Sequence, residues 1–196
     1  MQIATPAVAQ KAEKEQSERA ASSGEQITAS GWPLELYRLL KGAQVRQVSY
    51  VPDAGHAQLI DLFNADPEIV SNVLTTEEEG IAIAAGAWLG GLRSVLLLQS
   101  SGVGNCINML ALATVSRFPL LMIVTMRGEW AEFNPWQVPM GLATEPALNA
   151  IGVRTVRADT PADLLESVAS AATLAFEADQ QIAVLISQRM IGAKKW

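Results

Sequence analysis

Three observations predict an α/β domain, three-layered α/β/α, with a mainly parallel six-stranded sheet. Short aliphatic and β-branched runs at 47–51, 69–74, 95–98, 120–125, 153–156 and 182–186 alternate with helical segments at 56–64, 77–89, 105–115, 145–151 and 162–178. Several runs, such as Val95-Leu96-Leu97-Leu98, are apolar at every position, as strands are when helices cover both sheet faces. Hydrophobic residues make up 49% of the 196 and charged residues 17%, which suits one large core and some subunit contact besides.

Residues 1–30, rich in Ala, Ser, Glu, Gln and Lys, read as a flexible N-terminal arm with a helical stretch at 11–21, and residues 31–196 as one domain. Pro33 opens a short helix whose apolar residues are Leu34, Leu36, Tyr37, Leu39 and Leu40. The first strand leads through Val51-Pro52-Asp53-Ala54-Gly55-His56 into the next helix. After the second strand, Thr75 or Thr76 caps a helix that begins Glu77-Glu78-Glu79. Acids in a first turn favour the positive end of the helix dipole, which accounts for two of the three glutamates or for all of them. A functional role needs only one to turn inward. The small residues Gly80, Ala82, Ala84, Ala85, Gly86 and Ala87 of this helix let a neighbouring helix or subunit approach closely. The third strand gives way to a glycine-rich turn, Gln99-Ser100-Ser101-Gly102-Val103-Gly104-Asn105. Residues 127–142, with two Trp and two Pro, read as an irregular functional loop.

Composition excludes several classes. A net charge of −6 argues against nucleic acid and against anionic membranes as partners. The longest apolar stretch, 81–92, stops at Arg93 before it could span a bilayer as a helix. The N-terminus lacks the basic start and apolar core of a secretion signal, and the single cysteine, Cys106, forms no internal disulfide, so a cytoplasmic location is expected. One histidine, His56, rules out multi-histidine metal centres.

Ligands of open α/β sheets collect beyond the carboxyl ends of the strands, where the turns 51–56, 75–80, 99–105 and 125–129 all fall. Taken singly, each has an ordinary explanation. Asp53 and His56 suit a turn and a helix start. Gly102-Val103-Gly104 fails as a dinucleotide fingerprint, because the third glycine position is Ile107 and no acid closes the next strand. Cys106 near a helix start has no basic neighbour in sequence to activate it and reads as a packing residue.

Taken together, their spacing resembles the pyrimidine-binding domain of thiamine-diphosphate enzymes. That family shows a glutamate, an alanine-rich helix ending near Gly-Tyr-Ala, a strand, and a Ser-Gly-x-Gly turn. With Gly86-Ala87-Trp88 on the Gly-Tyr-Ala element, Ser101-Gly102-Val103-Gly104 falls on the turn without a gap and Glu77 on the invariant glutamate, Glu78 being the alternative one residue on. Within the family, Val51-Pro52-Asp53, Gln99 to Asn105, Arg127-Gly128-Glu129 and Gln137-Val138-Pro139-Met140-Gly141 resemble sulfopyruvate and phosphonopyruvate decarboxylases, the α subunit above all. The likeness runs from about Trp32 to the C-terminus. The chain departs from the family at Ala87, where a Tyr is usual, at Thr76, usually His or Asn, and at Ala54-Gly55-His56.

The resemblance implies thiamine diphosphate as cofactor, with Glu77 hydrogen-bonding its aminopyrimidine and favouring the imino tautomer. An apolar surround that includes Ile81 is expected to raise the pKa of Glu77. Pro52, Asp53, Ser101, Gly102, Gly104 and Asn105 join Glu77 as cofactor-binding residues, and His56, Gln99, Ser100, Arg127 and Gln137 as substrate-side residues. Arg127 either balances substrate charge or holds its loop by pairing with Glu129 or Glu132. The chain lacks the Gly-Asp-Gly motif that holds diphosphate and magnesium in this family, so Mg2+ is expected on a partner β subunit, in an α2β2 or larger complex acting on an acidic 2-oxo acid. The alternatives are a non-catalytic binding or scaffold module of the same fold and, more remotely, a nicotinamide enzyme.

Overall fold

The computed structural model describes residues 31–192. The arm expected at 1–30, with its helical stretch, lies outside the described residues. Elements follow in the order α1 (Trp32–Gly42), β1 (Val45–Tyr50), α2 (Ala57–Asn64), β2 (Val70–Val73), α3 (Glu77–Leu89), β3 (Arg93–Gln99), α4 (Ser100–Ser116), β4 (Leu120–Thr125), a 3-10 turn (Pro135–Gln137), α5 (Val138–Ala150), β5 (Arg154–Ala158), α6 (Pro161–Ala178), β6 (Gln181–Ile186) and α7 (Gln188–Ile191). The six strands form one sheet in the order β2-β1-β3-β4-β6-β5, and every pairing is parallel.

The side-chain alternation of a strand divides the core in two. Val95, Leu97, Leu121, Ile123, Ile182 and Val184 face one side, where they bury Leu36 and Leu40 of α1, Phe63 of α2 and Val168 and Phe176 of α6. Leu96, Leu98, Met122, Val124, Ala183 and Leu185 face the other, against Ile81 of α3, Val103, Cys106 and Leu110 of α4 and Leu148 of α5. Three-layer α/β/α architecture follows, with every residue of β4 and β6 buried.

Helix starts follow local chemistry unevenly. Thr160 and Asp163 form a capping box on α6, with Pro161 in its first turn. Thr76 is the N-cap of α3, yet its hydroxyl makes no capping bond. Glu79 reaches back instead and accepts from the Thr75 N–H at 2.9 Å.

Two expected boundaries move. The glycine turn before 105 is helical, since α4 begins at Ser100 and takes Gly102 and Gly104 into its first turns. The irregular loop ends early, because α5 begins at Val138 rather than 145. Pro139 and Gly141 read as helix breakers, but Pro139 lies in the first turn, where proline is tolerated. At Gly141 the backbone packs against the Arg127 carbonyl so tightly that a Cβ would collide with its oxygen. No helix among the described residues is long and apolar enough to cross a membrane.

Candidate active site

β1 is followed by a helix on one face of the sheet and β3 by a helix on the other, so a crevice opens between their carboxyl ends. Asp53, just past β1, and Gln99, the last residue of β3, meet across it. The Gln99 amide donates to Asp53 Oδ1 at 2.9 Å. Asp53 Oδ2 accepts from the Gly55 N–H at 3.1 Å and from Thr125 Oγ1, at the end of β4, at 2.7 Å. With these three donors and a side chain 8% exposed, the carboxylate is a fixed acceptor.

Polar contacts continue from Gln99 towards the loop. Its Oε1 accepts from Ser101 Oγ at 2.6 Å and from Gln137 Nε2 at 3.2 Å, and Gln137 Oε1 in turn accepts from Arg127 Nε at 3.3 Å. Arg127 is buried, and its Nε lies 3.2 Å from Glu132 Oε2, which is the loop-holding pairing of the two roles considered for it. Its backbone N–H donates to Ser100 Oγ at 3.0 Å, and Ser100 is itself fully buried. Of the residues expected on the substrate side, Gln99, Ser100, Arg127 and Gln137 thus share one network with Asp53 and Ser101.

His56 stands apart from that network. It is fully buried, neither ring nitrogen has a hydrogen-bond partner, and Nδ1 lies 3.8 Å from Asp53 Oδ2. Burial pushes its pKa down to about 4 against the opposing pull of the Asp53 carboxylate. In this position His56 faces the Asp53 carboxylate and sends no hydrogen bond into the crevice. Pro52, in contrast, is exposed at the rim.

The second cluster lies where the N-termini of α3 and α4 pack together. Glu77 is half-buried, whereas Glu78 and Glu79 are exposed, so one of the three acids turns inward. Its Oε2 accepts from Asn105 Nδ2 at 2.8 Å. The rest of the carboxylate lies over the bare Cα of Gly102, where a Cβ would stand 2.5 Å from Glu77 Cδ and 2.6 Å from Cγ. That close approach is why a helix start accepts a glycine that costs about 1 kcal/mol relative to alanine. At Gly104 a Cβ would come within 3.2 Å of Met140 Sδ, which brings the start of α5 against the same helix turn. Cys106, one turn on, is buried, and burial together with the Glu77 and Glu78 carboxylates pushes its thiol up to about 12, so the helix start does not activate it.

Sequence reasoning missed Gln188, and it met Glu132 only as one of two partners considered for Arg127 and Thr125 only as the start of a turn. Thr125 carried a weak signal, a polar residue closing an otherwise apolar strand. Gln188 carried none, because its partners lie 56 to 59 residues away. Among the described residues there is no group of three or more His, Cys, Asp or Glu side chains that could hold a metal ion.

Comparison with known proteins points in one direction. Residues 35–133 match the thiamine pyrophosphate enzyme family, N-terminal TPP binding domain. The chain is 34% identical over 152 residues to sulfopyruvate decarboxylase subunit alpha of Methanothermobacter thermautotrophicus, covering 77% of this chain and 92% of that one. It is 39% identical over 94 residues to phosphonopyruvate decarboxylase of Streptomyces viridochromogenes, covering 47% and 24%. Among solved structures it superposes on a thiamine diphosphate-dependent 4-hydroxybenzoylformate decarboxylase from Rhodococcus jostii RHA1 with a TM-score of 0.66 at 15% identity, covering 85% of this chain. A benzoylformate decarboxylase from Polynucleobacter necessarius gives 0.63 at 18%, covering 81%. The chain spans about a third of those two structures, which show the shared fold.

Proposed function

The chain belongs to the thiamine pyrophosphate enzymes, as a bearer of their N-terminal TPP-binding domain, and from that premise we propose that it is the α subunit of a two-chain, thiamine-diphosphate-dependent 2-oxo acid decarboxylase. The substrate in this reading is an acidic 2-oxo acid, sulfopyruvate or phosphonopyruvate, as the names of the relatives suggest. A β chain supplies the diphosphate site, in an α2β2 or larger cytoplasmic complex. Mg2+ is assigned to the β chain with the Gly-Asp-Gly motif that the resemblance places there, and no step here runs through it.

One observation carries the reading. Of three consecutive glutamates, only Glu77 turns inward, over a glycine whose missing side chain makes its room and beside an amide that holds one of its oxygens. That arrangement fits the pyrimidine end of the cofactor. Glu77 would offer its carboxylate to a ring nitrogen, and the bare Gly102 and Gly104 positions would keep the surrounding wall low. Pro52, Asp53, Ser101 and Asn105 would complete the wall.

When bound, the cofactor supplies the electron sink that a 2-oxo acid needs in order to lose carbon dioxide. Asn105 holds one Glu77 carboxylate oxygen, and the other would be the one to share a proton with a ring nitrogen of the bound cofactor. Asp53, Gln99 and Gln137 form a polar floor at the strand ends against which the acid is oriented, since their mutual bonds fix each rotamer in advance. Ser100 and Arg127 support that floor from below, and His56 supports Asp53.

The test is reconstitution. The chain, a β chain bearing a Gly-Asp-Gly motif, thiamine diphosphate and Mg2+ should together release carbon dioxide from sulfopyruvate or phosphonopyruvate. Glu77→Gln should lower that rate by about 10²–10⁴-fold, the usual loss for an acid–base group. Wild-type turnover in the Glu77→Gln complex would end the assignment.

A further inference from the structure

The 126–137 segment joins β4 to α5 and carries both Arg127 and Gln137, yet apart from the 3-10 turn at its end it has no regular structure of its own. Its shape depends on two buried side chains. Glu132, with a side chain 3% exposed, accepts at Oε2 from the Gly128 N–H (3.1 Å) and at Oε1 from the Asn134 N–H (3.0 Å), and its Oε2 also meets Arg127 Nε at 3.2 Å. Burial opposes its charge, but these donors outweigh burial and hold its carboxyl below the usual range. Gln188, 1% exposed and contributed by α7 at the far end of the chain, donates from Nε2 to Glu132 Oε2 at 2.9 Å. Its Oε1 accepts from both the Glu129 and the Trp130 N–H, each at 2.9 Å, and its own backbone N–H reaches Glu129 Oε2 at 3.3 Å.

Most of the polar capacity of these two side chains is spent on this one loop. From them a continuous series of contacts runs inward, through Arg127 Nε to Gln137, from Gln137 to Gln99, and from Gln99 to Asp53. We propose that Glu132 and Gln188 are positioning residues for the substrate end of the site, acting through Arg127 and Gln137 on Gln99 and Asp53. Calling that end the substrate end rests on the decarboxylase reading, whereas the mechanical coupling does not. Buried networks of this kind transmit a lost partner because each remaining member is left with an unsatisfied group, which is costly away from water.

The informative variant is Gln188→Glu. It keeps the shape and the acceptor for Glu129 and Trp130, but replaces the donor facing Glu132 with a second carboxylate. In the isolated chain, amide exchange at Gly128, Glu129, Trp130 and Asn134 should accelerate at least tenfold, while β1 and β3 keep their protection. The side-chain amide resonances of Gln137 and Gln99 should shift with it. The double variant Glu132→Gln, Gln188→Glu returns a donor and an acceptor to the pair and should recover part of both effects, and it stands in should the single variant not fold. In the reconstituted complex, Gln188→Glu should raise KM for the acidic 2-oxo acid at least fivefold with kcat within twofold. Loop amides that keep wild-type exchange, or accelerated loop exchange with unmoved Gln137 and Gln99 resonances, would overturn the proposal. A wild-type complex that releases no carbon dioxide would instead tell against the decarboxylase reading and leave the exchange and resonance results to judge the coupling.

Discussion

Gly102→Ala tests the placement of Glu77 without touching any polar group. The new Cβ would stand 2.5 Å from Glu77 Cδ and 2.6 Å from Cγ, against the roughly 3.5–4.0 Å of a relaxed carbon–carbon contact. Glu77 is the movable partner, so its carboxylate must retreat by about 1 Å and give up the 2.8 Å bond from Asn105. Stability should hardly change. Alanine gains about 1 kcal/mol over glycine within a helix, and losing one partly exposed hydrogen bond costs a similar amount. The expected Tm shift is within about 4 °C. Activity should fall by about 10²-fold, the scale of a 1 Å misplacement of a reacting group. Carbon dioxide release by the reconstituted complex and thermal unfolding of the chain give the two numbers. Gly42→Ala, at the end of α1 where a Cβ meets nothing within 4 Å, is the control and should stay within a few-fold of wild type. A Gly102→Ala complex as active as the control would refute the positioning of Glu77. A collapse of Tm would show that the wall around Gly102 is rigid and that the carboxylate has no room to yield.

Cys106 should resist iodoacetamide at pH 8 in the native chain and react on unfolding, since burial holds its thiol up to about 12, and rapid native labelling would contradict the packing of α4. His56 is neutral in the fold, with its pKa pushed down to about 4 by burial, whereas the unfolded chain takes up its proton near 6.5. Its contribution is therefore fully present above about pH 6.5 and is lost as pH falls towards 4, and His56→Phe should flatten that part of a urea-midpoint against pH curve. Gly141→Ala drives a Cβ into the Arg127 carbonyl oxygen, backbone against backbone, and should cost about 1–3 kcal/mol. The Tm should fall by about 2–4 °C for each kcal/mol, and an unchanged Tm would mean that α5 does not press on the loop as described.

The sheet was legible because its signal is local and repeated. The runs 95–98 and 182–186 are apolar along their whole length and 120–125 at all but its last residue, and only burial on both faces rewards that pattern. The α4 start was not legible. Two glycines and two serines favour a turn by propensity, and the side chains that pack over those glycines, Glu77 and Met140, come from elsewhere in the chain. The α5 start was hidden in the same way by Pro139 and Gly141. At the site, the family resemblance in an ungapped register pointed to Glu77, with Glu78 as the alternative one residue on, and Glu77 is the one of the three whose side chain is not exposed.

By itself, then, the sequence determined the α/β layering, the parallel sheet, the family, and the four turns in which polar residues gather. Only the tertiary structure decided how those residues divide their work. It put His56 behind Asp53, set Arg127 against Glu132 and brought in Gln188 from beyond the last strand. The physical reason is range. Hydrophobic periodicity reports each residue's own burial and can be read along the chain, whereas a buried hydrogen bond is a statement about two residues. When these lie 28, 46 or 59 positions apart, as Glu77 and Asn105, Asp53 and Gln99, and Glu129 and Gln188 do, nothing in either neighbourhood records the partner.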